Sequence, residues 1–258
     1  MKRNIFGLDF SAAKDPGDKI WISQGHLKKD KIVFEYTESA KSLWGNLGSK
    51  EGYYKKIRNL VLETPSGVFG MDFSFSLPED CLDGASWNDF ISNFHKNFSN
   101  AEYFRKYCLE MTGGREKRRK VEVEMGAPLS PYNLWIYKQT YHGMRDILAP
   151  LMDSVSIIPY TPVIPGIPWL LEVYPGLILK ERNIYIPYKG NKNEPTKSRN
   201  RTLMVEELTS KSLDGLDLEV DESCIENMKK NAGGDALDSF MALLVTYRFY
   251  KQFLDNKK

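Results

Sequence analysis

The stretch Asn4-Ile-Phe-Gly-Leu-Asp-Phe-Ser11 is the one from which the fold is predicted. Its apolar residues favour a buried strand, and the strand ends at a single carboxylate, Asp9. A second stretch, Gly67-Val-Phe-Gly-Met-Asp72, also ends in an aspartate that Phe-Ser follows. Asp9 alone could simply begin a turn, but the near-repeat at Asp72 favours a shared role. The pattern therefore predicts two strands whose terminal acids serve one site, because unpaired charge beside an apolar run is costly.

Three further acids occupy unusual positions. The apolar run Trp169-Leu-Leu-Glu-Val-Tyr-Pro175 carries Glu172 in its middle, where no turn or cap explains it. The alternatives for Glu172 are a metal site or an internal salt bridge to an arginine or lysine. Asp235 and Asp238 open the most apolar helical stretch, where Asp235 could be an N-cap and Asp238 could interact with the helix dipole. Positions i and i+3 share a helix face, so both acids could cap the helix and bind a metal.

Length and composition fit one sizeable globular domain, or one domain with an insertion. The 258 residues are 41% hydrophobic and 27% charged, with a formal net charge of +2 that is too mild to require a polyanionic partner. The three cysteines are widely spaced and form no CxxC pair, which argues against disulfides and a zinc site. We expect no signal peptide, because the sequence leads straight into a predicted strand, and no apolar run approaches about 18 residues. We expect a soluble cytoplasmic protein without a membrane partner.

The first 72 residues predict a β-β-β-α-β unit. After the first strand, residues 19–27 and 31–37 are rich in strand-forming side chains and predict an antiparallel meander. Residues 50–63 have apolar side chains at helical spacing. The strand at 67–72 follows this helix, and a helical crossover would place it parallel to the first strand and beside it.

The rest of the chain predicts mostly helices, arranged around a proline-rich link. Residues 189–201 contain five basic side chains and no large apolar one, so a loop is predicted there. A strand is predicted at 155–159, before the strand that carries Glu172. A single domain over residues 1–258, with a helical insertion at about residues 86–152, is the predicted organisation. The predicted helices run over residues 87–98, 101–111, 132–152, 176–182, 202–211, 221–230 and 235–254.

The acids predict a site for a hard divalent metal ion. In an open α/β sheet, functional groups gather at the carboxyl ends of neighbouring strands, where Asp9 and Asp72 stand. Glu172 and Asp238 could converge there from distant parts of the chain. Like charges held close raise one another's pKa unless a cation with a preference for oxygen ligands neutralises them. The acids therefore indicate Mg²⁺ or Mn²⁺, and two such ions about 4 Å apart would suit phosphodiester hydrolysis.

Four short motifs, in order, resemble those of a known family. They are GLDFS at residues 7–11, GMDFSFSLP at 70–78, LEVYP at 171–175 and GGDALDSFMALL at 233–244. The family consists of uncharacterised proteins described as predicted RNase H-like nucleases, and the motifs are more distantly similar to the RNase H and Holliday-junction-resolvase superfamily. This resemblance implies an α/β fold with a five-stranded mixed sheet, three antiparallel strands then parallel strands, and helices on both faces. It also implies a metal-dependent phosphodiester hydrolase.

The resemblance also assigns residues. Asp9 matches the acid of the first strand, Asp72 that of the fourth, and Glu172 the glutamate of an E-V-x-P motif. Asp235 and Asp238 match the D-x-x-D at the head of the last helix in resolvase-type members. The expected catalytic acids are thus Asp9, Asp72, Glu172 and Asp238, and all five acids are expected metal ligands. No motif of the family accounts for the helical block, the predicted insertion at about residues 86–152.

Two basic stretches, residues 115–120 and 189–201, are candidates for gripping a nucleic-acid backbone. Each is also explained as ordinary solvated surface. The first is expected to be exposed and mobile. The likeness to resolvases also admits a homodimer. The candidate contacts are Lys117, Arg118, Arg119, Lys197 and Arg199.

The expected function is a nuclease that hydrolyses the phosphodiester bonds of DNA or RNA with two Mg²⁺ or Mn²⁺ ions. One alternative is a catalytically weak nucleic-acid-binding module of the same fold, which would bind without turnover. A less favoured alternative is an actin-like ATP-dependent phosphotransferase, whose fold begins with a similar strand. That class needs two related β-β-β-α-β halves and glycine-rich phosphate loops, for which this chain is short.

Overall fold

A seven-stranded mixed sheet forms the centre of the computed structural model, which describes residues 3–28, 31–191, 193–210, 212–213 and 215–255. The strand order across the sheet is β5-β6-β4-β1-β2-β3-β7. The strands are β1 Asn4–Asp9, β2 Trp21–Lys28, β3 Lys31–Ser39, β4 Val68–Met71, β5 Ser156–Ile158, β6 Trp169–Glu172 and β7 Asp217–Val220.

Strand pairing confirms the predicted β-β-β-α-β unit. β1 pairs antiparallel with β2, and β2 pairs antiparallel with β3. β4 returns parallel to β1 and beside it, with Phe6 opposite Phe69 and Leu8 opposite Met71. β6 and then β5 continue the parallel side, and β7 pairs parallel with β3.

The prediction of a five-stranded sheet is wrong, because β5 and β7 extend the sheet at its two edges. β5 has three residues and β7 has four. In β7 the exposed positions Asp217 and Glu219 alternate with the half-buried positions Leu218 and Val220. β5 confirms the strand predicted over residues 155–159, whereas β7 contains too few apolar residues to produce a hydrophobic run in the sequence.

Helices cover both faces of the sheet, because successive strand side chains point to opposite sides. Phe6 packs with Phe69 and with helix α2 and the helical block, whereas its neighbour Ile5 packs with α11 and α13 on the other face. Within the described residues, no helix is both long enough and apolar enough to cross a membrane. The helices are α1 Ala40–Trp44, α2 Lys50–Leu62, α3 Glu79–Leu82, α4 Trp87–Ser92, α5 Phe94–Asn97, α6 Ala101–Met111, α7 Lys120–Glu124, α8 Tyr137–His142, α9 Ala149–Leu151, α10 Gly176–Glu181, α11 Pro195–Ser210, α12 Glu222–Lys230 and α13 Asp235–Asp255.

Two glycines let α13 lie unusually close to the sheet. A Cβ atom on Gly7 of β1 would stand 2.1 Å from the backbone nitrogen of Leu243 in α13. A Cβ atom on Gly70 of β4 would stand 1.7 Å from Oγ1 of Thr246. Both contacts are far inside van der Waals distance, so glycine is the only residue that fits at these positions without moving the helix. The resulting close packing sets where the first turn of α13 lies relative to β1 and β4.

Several predicted helix boundaries are wrong. The helix predicted over residues 87–98 is two short helices, α4 and α5, which meet at Asn93. The helix predicted over 132–152 starts at Tyr137 and includes a π-helical turn, Gly143–Leu148, between α8 and α9. The loop predicted over 189–201 ends at Pro195, where α11 begins. The first turns of α11 carry polar side chains, so the hydrophobic pattern did not reveal them.

Candidate metal and phosphate site

Three of the predicted acids lie at one edge of the sheet because β6, β4 and β1 are parallel neighbours. Asp9 is the last residue of β1, Asp72 follows β4 directly, and Glu172 is the last residue of β6. The backbone nitrogen of Asp72 donates a hydrogen bond of 3.0 Å to the carbonyl of Leu8. The middle acid, Asp72, is thereby held between the strand ends that carry Asp9 and Glu172.

The first turn of α13 brings the other two acids to the same edge. Asp238 is buried, and its carboxylate accepts a hydrogen bond from the Tyr188 hydroxyl and forms an ion pair with the Lys189 ammonium. Asp235 lies one turn earlier and pairs with Lys19 at 3.4 Å. A capping hydrogen bond at this helix end comes from Asn231, whose side-chain oxygen accepts from the nitrogen of Ala236 at 3.2 Å. Asn231 therefore competes with Asp235 for the N-cap role.

Two cavities open beside these acids, and Asp72, Tyr174 and Lys189 line both. The first, which we call the Asp9 cavity, has a volume of about 270 Å³ and also includes Asp9 and Glu172 in its wall. The second, the tyrosine cavity, has a volume of about 430 Å³ and is lined by Asp72, Asp238, Lys189, Lys197, Tyr174, Tyr185 and Tyr188 among others. The acids thus face space large enough for a phosphate group and its neighbours.

Burial and mutual repulsion perturb the acids in this site. Burial, followed by the nearby charge of Asp238, raises the pKa of Asp72 from 3.8 to about 7. The same two causes, in the same order, raise the pKa of Asp9 well above its ordinary value. Lys189 opposes both shifts. Burial disfavours the charged ammonium, but Asp238 and Asp9 outweigh it and raise the pKa of Lys189, so this lysine carries a positive charge among the acids.

Glu172 has a strong partner of its own. Its carboxylate accepts a hydrogen bond of 2.9 Å from Nη1 of Arg119, pairs with Nη2 of the same residue, and accepts 2.9 Å from the backbone nitrogen of Phe75. Arg119 also binds Glu122 through Nε at 2.6 Å. The structure therefore gives Glu172 the internal salt bridge that the sequence left open as an alternative, at the wall of the Asp9 cavity.

The five candidate nucleic-acid contacts differ in their exposure and in their ion-pair partners. Arg119 is only 8% exposed and fully engaged with two glutamates, so the expectation of an exposed basic run is wrong for this residue. Lys117 is exposed and pairs with Asp80 at 2.5 Å, and Arg118 is exposed near Ala127. Lys197 lines the tyrosine cavity and pairs with Glu194 at 2.6 Å. Arg199 lies exposed on α11. Of the five candidates, Arg119 pairs with Glu172, and the half-buried Lys197 lines a cavity that Asp72 and Asp238 also line.

Lys189 and Gln139 are among the residues near the acids that sequence reasoning missed. In the sequence Lys189 is only the first residue of a basic stretch, yet its ammonium pairs with Asp238 and interacts with the charges of Asp9 and Asp72. Gln139, from the helical block, donates a hydrogen bond to the backbone carbonyl of Asp72 and lines the Asp9 cavity. The Tyr-Lys pair at 188–189 offered a weak signal, an aromatic next to a basic residue, but nothing local distinguished Lys189 from other lysines.

The chemistry of the donors suits a hard divalent ion, since carboxylate oxygens are the ligands that Mg²⁺ and Mn²⁺ prefer. Over the ranges that the structure describes, however, no group of three or more His, Cys, Asp or Glu side chains is arranged to hold a metal ion. The Lys189 ammonium pairs with Asp238 and opposes the charge of Asp9 and Asp72. A cation that belongs to the chain itself therefore offsets part of the negative charge of these acids.

Comparison of the chain with protein-family models, with curated proteins and with solved structures gave no match.

Proposed function

We propose that this protein is a metal-dependent nuclease that hydrolyses phosphodiester bonds of nucleic acid. The observation that carries the proposal is the meeting of Asp9, Asp72 and Asp238 beside two cavities. These acids come from β1, from the end of β4 and from the start of α13. Burial raises the pKa of Asp9 and of Asp72, which is costly for folding, and such arrangements concentrate at functional sites.

The fold supports the same proposal. The inner five strands run in the order β3-β2-β1-β4-β6, with three antiparallel strands followed by two parallel ones. An RNase H-like fold implies that arrangement, with acids at the ends of its first and fourth strands. In this proposal β5 and β7 are additions at the edges, and the helices between α4 and α9 are an insertion between β4 and β5.

The proposed ligands for Mg²⁺ or Mn²⁺ are Asp9, Asp72 and Asp238, with Asp235 assisting from the same helix face. Glu172 is the fourth catalytic acid of the proposal, although Arg119 holds its carboxylate in the metal-free protein. Two divalent ions held by these acids would activate a water molecule and stabilise the leaving oxygen. Lys197 lies on the wall of the tyrosine cavity and in this proposal contacts a backbone phosphate of the polymer.

A second candidate function is binding of nucleic acid without turnover, and one observation favours it: among the described residues, no three His, Cys, Asp or Glu side chains are grouped so that they could hold a metal ion. The actin-like alternative gains no support, because the seven described strands form one sheet and no second β-β-β-α-β half is found among them.

The deciding experiment is cleavage of labelled nucleic acids with Mn²⁺ or Mg²⁺. The panel contains single strands, an RNA–DNA hybrid and a four-way junction, and Asp9→Asn and Asp72→Asn are purified in parallel. We expect metal-dependent cleavage that both substitutions abolish. Cleavage that survives both substitutions would disprove the proposed site. Binding of the polymer without cleavage, in the wild type and in both variants, would favour the binding module.

A further inference from the structure

The ammonium of Lys189 lies where it can either pair with Asp238 or extend into solvent. Its ammonium pairs with Asp238, a carboxylate whose side chain is only 4% exposed. The lysine side chain itself is 55% exposed, so most of its stem lies at the wall of the tyrosine cavity rather than in the core. Because a lysine side chain has four rotatable bonds, the ammonium can leave Asp238 for solvent without any movement of the backbone.

The backbone beneath Lys189 is held firmly by neighbouring elements. The carbonyl of Tyr188 accepts a hydrogen bond of 2.7 Å from Nη1 of Arg201, which is buried. The nitrogen of Gly190 donates to the carbonyl of Ala232 at 2.9 Å. On the opposite side, Gly234 has a φ of +83°, and a Cβ atom there would stand 3.0 Å from Cγ of Lys189. The protein thus fixes the base of the lysine next to the acids and leaves its end movable.

The ammonium of Lys189 supplies positive charge next to the acids, as a bound metal ion would. Asp9, Asp72 and Asp238 bring three carboxylates together, and Lys189 is the cation that opposes the charge of Asp9 and Asp72 most strongly. Asp235, by contrast, has its nearest ammonium in Lys19. A divalent ion bound by Asp238 and its neighbours would compete with the ammonium, because Tyr188 and Lys189 already occupy the two carboxylate oxygens of Asp238 and the ammonium would repel the ion at close range.

We propose that Lys189 is an exchangeable cation of this site: it neutralises Asp238 in the metal-free protein and leaves when a divalent ion binds. The inference rests on the metal site of the proposed function, and it adds which cation pairs with Asp238 when no metal ion is bound. Lys189 acts here as a positioning residue for the acids, and its removal should strengthen metal binding rather than weaken it.

Calorimetric titration with Mn²⁺ tests the exchange without any nucleic acid. We expect Lys189→Met to bind Mn²⁺ about tenfold more tightly than the wild type, because one competing charge is gone from a partly solvated site. The matched control is Lys197→Met, which removes the same charge from the wall of the same cavity but from a lysine paired with Glu194. That variant should stay within about twofold of the wild type, as expected for a screened charge.

Unchanged or weaker Mn²⁺ binding in Lys189→Met would overturn the proposal, as would an equal gain in Lys197→Met. Absence of Mn²⁺ binding in both the wild type and Lys189→Met would overturn it too.

A second measurement uses the wild type alone, in case the variant does not fold. Acetylation of the Lys189 amine, followed by mass spectrometry, should become faster when Mn²⁺ is added, and an unchanged rate would contradict the exchange. If the exchange holds and no nucleic acid is cleaved, only the nuclease function fails.

Discussion

Replacing Asp72 with asparagine should stabilise the metal-free protein. Asp72 is held between Asp9 and Glu172 at the sheet edge, and its pKa rises from 3.8 to about 7 through burial, then through the charge of Asp238. A carboxyl group whose pKa is higher in the folded state holds its proton more tightly there than in the unfolded chain. Ionising it at neutral pH therefore costs free energy of folding. Asparagine keeps the shape of the side chain and cannot ionise.

The magnitude follows from the same pKa values. One pKa unit corresponds to about 1.4 kcal/mol, so a change from 3.8 to about 7 corresponds to at most about 4 kcal/mol. The half-exposed side chain of Lys189 can move its ammonium toward the ionised carboxylate and so reduce the cost of ionisation. We therefore expect Asp72→Asn to raise the free energy of unfolding by about 2–4 kcal/mol at pH 8. The stabilisation that protonated Asp72 gives the wild type is complete below pH 3.8 and is lost as the pH rises to about 7. The advantage of the variant should therefore vanish in acid and be full above pH 7.

Urea unfolding of both proteins in EDTA, at several pH values between 4 and 8.5, measures this difference. The control is Asp80→Asn: Asp80 is exposed, and its hydrogen bond with Lys117 lowers its pKa, so this variant should show no gain at any pH. Equal or lower stability of Asp72→Asn at pH 8 would refute the reasoning, because it would mean that Asp72 is not under electrostatic strain in the folded protein.

Three other substitutions test separate features of the structure. Gly7→Ala should destabilise the protein by about 3 kcal/mol or more in urea unfolding, because the new Cβ meets the backbone of α13; a loss below about 1 kcal/mol would contradict the close packing. Glu172→Gln should cost about 3 kcal/mol by leaving Arg119 with one carboxylate, and Arg119→Met combined with Glu172→Leu and Glu122→Gln, which leaves no charge of this cluster unpaired, should recover part of that loss. Failure of the triple variant to improve on Glu172→Gln would argue against the ion-pair cluster. Lys197→Glu should weaken binding to single-stranded nucleic acid and lower the slope of log affinity against log salt concentration by about one. The control Lys117→Glu changes a lysine that pairs with Asp80 away from both cavities, and it should change the affinity less. Equal effects of the two substitutions would contradict a special role for Lys197.

Local sequence was enough to predict the strands that carry the site. The runs that end at Asp9 and Asp72 are apolar, and the helix between them fixes their parallel pairing through the geometry of the crossover. Since parallel strands end at one edge, the neighbourhood of Asp9 and Asp72 was predictable without any tertiary information. The beginning of α13 at Asp235 was predictable for the same reason, because the preceding glycines and the following apolar residues are all local signals.

The sequence by itself therefore determined which acids reach the edge of the sheet, since strand and helix signals depend on neighbouring residues. Only the tertiary structure decided which cations meet those acids. The chain has 36 lysines and arginines, and nothing local marks Lys189 as the partner of Asp238 or Arg119, 53 positions earlier, as the partner of Glu172. These pairings depend on loops and helices that pack against the sheet from distant parts of the chain. Their energies are set by burial and by the surrounding charges, and both exist only once the chain has folded.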